Sequence, residues 1–125
     1  MKDYNPNQAP PAQEWLALDE DERINLVARW HRKKKIPLPN VHVHATIHVT
    51  VENQLAMDDE VPCQTLARLM QEGLGRHDAI HAIGTVLAYH MHDLLSGKLS
   101  PGDAANAQYY EALRRYTAKD WLNSG

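Results

Sequence analysis

The chain has 125 residues, 43% of them apolar and 23% charged, and carries a net charge of −3 with histidine neutral. That composition suits one soluble domain with a single core, and without a basic excess to grip phosphates it excludes nucleic acid as the main partner. The one cysteine, Cys63, excludes an internal disulfide, and no apolar run approaches the roughly 18 residues of a membrane-spanning helix, so no membrane partner and a cytoplasmic location are expected.

The first stretch, MKDYNPNQAPPAQ, is polar and proline-rich, with no hydrophobic signal region. Residues 1–14 are therefore expected to be a disordered lead-in, and residues 15–125 the helical domain. EWLALDEDERINLVARWHRKK then reads as a helix. Trp15 and Leu18 can pack ahead of an Asp19 cap, and Ile24, Leu26, Val27 and Trp30 supply the apolar stripe. Acidic residues load its start and basic residues its end, as the helix dipole favours. Pro37 and Pro39 must stop it.

VHVHATIHVTVE, from Val41 to Glu52, carries two periods at once. Strict alternation of apolar and polar residues is the mark of a half-buried strand. Against that, no partner strand is visible, and a lone strand leaves its backbone groups unpaired. The run also continues into NQLAM, which would make a strand far longer than the usual 5–6 or so residues. The spacing of Ala45, His48, Val51 and Leu55 is helical, Asn40 is a plausible cap, and a helix to about Met57 is predicted.

Pro62 suits the first turn of a short helix, with Leu66, Leu69 and Met70 facing the core and Gly73 and Gly75 ending it. Arg76 to Ser96 is the clearest helix, striped by Ile80, Ile83, Gly84, Leu87, Met91 and Leu94 and stopped by Gly97. Ser100-Pro101-Gly102-Asp103 then starts a last helix that runs to about Leu122, with Ala107, Tyr110, Leu113 and Tyr116 on one face. The expected fold is all-α, a small single-domain bundle of about five helices.

The compositional oddity is eight histidines. On helices, His44 and His48 are four apart, as are His48 and Glu52, and His77 and His81. Side chains at that spacing point the same way, so two imidazoles can share an ion. Two such pairs on separate helices, with a carboxylate nearby, make His44, His48, Glu52, His77 and His81 the candidate metal ligands. His44 and Glu52 lie about 12 Å apart along the helix axis, too far for one ion to take both. The site therefore uses His44 with His48 or His48 with Glu52. Zinc, iron or nickel suits such ligands. The same residues could instead form an interhelical hydrogen-bond network with Asn53 and Gln54, or an acid–base or pH-sensitive group. His31, His42, His90 and His92 read as peripheral, and Cys63 as a buried apolar cysteine.

HATIHVTVENQLAMDD followed by GLGRHDAIHAIGTVLAYH resembles a bacterial family catalogued as a domain of unknown function, whose helices carry H-x3-H, Gln-Leu-Ala and a second H-x3-H. Here these are His44, His48, Gln54-Leu55-Ala56, His77 and His81, within a resemblance covering about Asn40 to Leu95. It implies a small all-helical domain and assigns no activity. In some similar proteins an acidic residue stands directly before the Gln, where this chain has Asn53. Whether the chain is an enzyme, and on what small-molecule substrate, stays open. The competing reading is a non-enzymatic interaction or regulatory module, forming a homo-oligomer through Tyr109, Tyr110, Tyr116 and Trp121.

Overall fold

The computed structural model describes residues 1–34, 40–99 and 102–123. Pro37, Pro39, Ser100 and Pro101, the stop and start signals of the sequence, lie outside them. The described residues form seven helices and no strand: α1 Ala12–Ala17, α2 Glu20–Lys33, α3 Val41–Ala56, α4 Glu60–Gln71, α5 Arg76–Leu95, α6 Asp103–Arg115 and α7 Ala118–Asn123. The all-α expectation holds, with two more helices than the expected five.

Both extra helices come from breaks that local side chains stabilise. Leu18 is extended between α1 and α2. The Asp19 N–H donates to Glu22 Oε1 at 3.2 Å, so α2 starts afresh. Arg23 satisfies the last carbonyls of the α1 segment, donating to Trp15 O (2.9 Å), Leu16 O (2.8 Å) and Leu18 O (2.8 Å). At the other break, Thr117 and Asp120 bond reciprocally: the Thr117 N–H donates to Asp120 Oδ2 (3.0 Å) and the Asp120 N–H to Thr117 Oγ1 (3.1 Å). Thr-x-x-Asp is a capping-box pattern, and it ends the long last helix expected from the periodicity. Arg68 Nη2 donates to the carbonyls of Leu113 (3.0 Å) and Tyr116 (2.6 Å) at the end of α6.

The ambiguous segment is the helix α3, and its position explains its composition. It packs against α1, α2, α4 and α5. A helix surrounded in this way needs apolar residues on more than one face, so its pattern loses a single stripe. Ala45 and Val49 join Trp15, Ile24, Leu26, Val27 and Ala28 in one apolar cluster. Val51 joins Leu69, Ile80, Ile83, Val86, Leu87 and Leu113 in another. Asn40 caps the helix, accepting from the Val43 N–H at 3.0 Å. Thr46 and Thr50 return their hydroxyls to the carbonyls of His42 and Thr46, both at 2.9 Å, which lets these polar β-branched residues sit inside the helix.

Helix ends set the remaining turns. After α4, Gly73 has φ +112°, its N–H donates to Met70 O and the Leu74 N–H to Leu69 O, both at 3.1 Å. This is a Schellman ending, and Leu74 and Leu69 share the core as the motif favours. Asp58 (φ 56°) takes the same left-handed position after α3.

Several expectations need correction. Met70 and Met91 point outward, 43% and 40% exposed. Tyr109 is buried, and Tyr110, Tyr116 and Trp121 are partly buried against the core. Within the expected lead-in, Tyr4 and Pro6 are buried: Tyr4 is 5% exposed, its ring tilted against that of Trp15 at 5.5 Å between centroids. A proline-rich polar segment has little apolar surface of its own, but this one meets a buried arginine described below.

Gly84 lies where α5 leaves little room against α3. A Cβ placed there would lie 3.2 Å from Ile47 Cγ2. Gly84→Val is expected to destabilise the protein by about 1–3 kcal/mol in urea unfolding, the usual range for overpacking. A valine variant as stable as the native chain would contradict this helix contact.

Candidate metal centre

α2, α3 and α5 each turn histidines toward a common point. α3 supplies His44 and His48 and α5 supplies His77 and His81, the two pairs expected at four-residue spacing. α2 adds His31, which the sequence reading left at the periphery. His31 is fully buried, and its spacing from Ile24 and Val27 is that of the α2 core stripe. That periodicity was the available signal; the adjacent Arg32 and Lys33 disguised it as part of a solvated basic end.

One ligand atom from each of His31, His44, His48 and His81 can be chosen so that all four lie within 4.8 Å of one another. His44 Nε2 is 3.2 Å from His31 Nε2 and 3.1 Å from His81 Nε2. His77 is adjacent but falls outside this group. Its ring centroid is 4.1 Å from that of His81 and 4.7 Å from Trp30.

Glu52 is not turned toward the imidazoles. Arg76 holds it from two sides, Nη2 to Oε1 at 2.8 Å and Nη1 to Oε2 at 2.9 Å. These side chains are 8% and 1% exposed. Of the two options the spacing allowed, the structure brings His44 and His48 together and assigns Glu52 to a separate ion pair. Asp78, next to His77 on α5, is exposed, as are His42 and His92. His90 lies against Tyr109, at 5.2 Å between ring centroids, away from the cluster. The polar residues Asn53 and Gln54 serve helix packing: Asn53 Oδ1 accepts from Trp15 Nε1 (2.9 Å) and Gln54 Oε1 from the Tyr109 hydroxyl (2.9 Å).

The outer partners fix where the imidazole protons sit. His31 Nδ1 lies 2.8 Å from the Val27 carbonyl. A carbonyl only accepts, so Nδ1 carries the proton and Nε2 presents a lone pair. Tyr4 gives its hydroxyl proton to Glu52, and its oxygen lies 2.7 Å from His48 Nε2. With its one proton committed, the hydroxyl can only accept there. His48 therefore carries its proton on Nε2 and has the lone pair on Nδ1. That Nδ1 is buried and has no hydrogen-bond partner among the described residues, as is His77 Nε2. The chain Arg76–Glu52–Tyr4–His48 thus orients an imidazole through its outward N–H, the arrangement typical of groups behind a metal-ligating histidine.

Protons are too few for the inward nitrogens. His31 Nε2 offers only a lone pair, so a hydrogen bond to it requires the proton of His44 on Nε2. That same proton would have to serve the contact with His81 as well. If His81 Nε2 were protonated instead, two N–H groups would oppose each other. At most one of the two short contacts is a linear hydrogen bond. Adding a proton to any ring is opposed by the surroundings. Burial first, and then the neighbouring histidines, hold His81 down to about 3 and His77 to about 4, and push His48 well below the usual imidazole range. Burial lowers His31 and His44 as well. The cluster is neutral at neutral pH and rich in lone pairs, the state in which imidazole binds metal.

No protein-family model, curated protein or solved structure matches the chain. Its chemistry is therefore read from these side chains.

Removing the Glu52 charge would leave Arg76 buried and uncompensated. Glu52→Gln is expected to cost about 3–5 kcal/mol in denaturant unfolding, and Glu52→Leu with Arg76→Met together clearly less, since no buried charge is then stranded. A Glu52→Gln loss below about 1 kcal/mol, the level of an exposed pair, would contradict the burial of this interaction.

Proposed function

We propose that the protein binds one divalent transition-metal ion through His31, His44, His48 and His81. The observation carrying this reading is that outer partners leave His31 Nε2 and His48 Nδ1 with lone pairs, beside His44 and His81, whose Nε2 atoms lack the protons to hydrogen-bond every short contact. A cation accepts all of those lone pairs at once. The spacing agrees: nitrogens about 2.0–2.1 Å from a tetrahedral zinc sit about 3.3–3.4 Å from one another, and two of the contacts here are 3.1 and 3.2 Å. An all-imidazole set suits zinc, iron or nickel and gives no thiolate or carboxylate by which to select among them. Glu52 enters this reading as a positioning residue for His48, and His77 as a neighbour that excludes water from the His81 side.

A network held by hydrogen bonds alone is supported less well, because it leaves His48 Nδ1 buried and unsatisfied where a metal ion would take it up.

Untagged protein is expected to bind zinc at one equivalent in calorimetry and to melt at higher temperature when loaded, since the ion binds the folded chain. Alanine at His31, His44, His48 or His81 is expected to weaken binding by about 100-fold or more, and Tyr4→Phe by about 10-fold through loss of the group that fixes the His48 tautomer. Alanine at His42, His90 or His92 should change nothing. Equal losses from the two sets, or native protein that takes up no metal, would overturn the proposal.

A further inference from the structure

A cavity of about 310 Å³ opens against one side of the histidine cluster. Three of the four proposed ligands, His44, His48 and His81, form part of its wall, while His31 does not. The rest is largely apolar, with Ile47 from α3, Ala88 from α5 and Trp121 from α7. A metal site serving only to staple helices would be closed on all sides by its ligands. Here the imidazoles of α3 and α5 are shared between the cluster and a cavity at the low end of the size range of small-molecule sites.

On this basis, and resting on the metal reading above, we infer that the cavity is a binding site for a small apolar carboxylate whose head group completes the coordination of the ion. The charge balance selects the head group. Four neutral imidazoles leave a divalent ion with its full double charge, and among the described residues no Asp, Glu, Lys or Arg lines the cavity. In a low-dielectric wall that uncompensated charge attracts an anion strongly. The apolar wall selects the body: Ile47, Ala88 and Trp121 offer packing surface to a hydrocarbon chain or ring. Thr85, also in the wall, spends its hydroxyl proton on the His81 carbonyl at 3.0 Å, so it brings no free donor to compete for the carboxylate. Four protein nitrogens leave a position open on an ion that expands to five ligands, and three of those four residues line the cavity.

The test uses protein loaded with cobalt(II), whose visible absorption reports its coordination number, and benzoate as the probe. Native protein is expected to bind cobalt and to change its visible bands saturably as benzoate is added. Ala88→Phe, which fills the cavity from a position that is not a proposed ligand, is expected to retain cobalt binding and lose benzoate affinity by about tenfold or more. Circular dichroism checks that this variant keeps its fold, and Ala88→Leu provides a smaller filling with an intermediate loss. Cobalt bands indifferent to benzoate in the native protein would overturn the cavity assignment and leave the metal reading standing. Benzoate binding of equal strength in Ala88→Phe would place the anion elsewhere and likewise overturn it. Failure to bind cobalt at all would overturn both.

Discussion

The buried pair between Glu52 and Arg76 is the contact on which the rest of the structure depends. Its cost is high, because two charges leave water, and excellent geometry is needed to offset that cost. The guanidinium supplies it with two bonds to the carboxylate and a further one to Pro6 O at 2.9 Å. One residue at the start of α5 thereby ties down α3 and the N-terminal segment together. Tyr4 is delivered to Glu52 by the same arrangement, and through Tyr4 the pair reaches His48. A purely apolar contact could fasten these elements, but it could not dictate which imidazole nitrogen holds the proton.

That dependence separates two roles that look alike in a list of polar residues. His48 and Glu52 stand four apart on one helix face, the spacing of co-ligands, yet they meet only through a tyrosine hydroxyl from the far end of the chain. The carboxylate orients; the imidazoles converge. The ring on α2 is oriented by a simpler device, the carbonyl of Val27 one turn before it. Two unrelated outer contacts thus leave lone pairs on His31 and His48, and this coincidence makes the cluster more than a polar patch between helices. His77 stays the least explained member, with a buried Nε2 that lacks a partner and a ring set edge-on to Trp30.

Much of this was legible in the sequence, and the misses have physical reasons. Helical spacing alone paired His44 with His48 and His77 with His81, and the absence of any partner strand decided the α3 segment. The same arithmetic showed that His44 and Glu52 could not share an ion. His31 was missed because a basic run at a helix end suggests solvent, although the ring itself falls on the Ile24 and Val27 stripe. The ordered N-terminal segment was not legible, because its anchor is Arg76, some 70 residues away, and no local pattern announces a long-range ion pair. The break before α7 was legible in Thr117-Ala118-Lys119-Asp120, but the apolar periodicity running across it argued for continuity. Tautomers, finally, depend on which acceptor meets which ring, and only three-dimensional placement supplies that.

The central claim is that outer contacts fix the histidine tautomers so that their lone pairs meet on one ion. Nitrogen-15 NMR of the imidazole rings tests it most directly, because protonated, unprotonated and metal-bound ring nitrogens have separate chemical shifts. The account predicts His31 protonated at Nδ1 and His48 protonated at Nε2 in metal-free protein at neutral pH. Addition of one equivalent of zinc should then move His31 Nε2 and His48 Nδ1 to metal-bound values while both protons stay in place. The opposite tautomer at His48, or ring nitrogens unmoved by zinc, would contradict it.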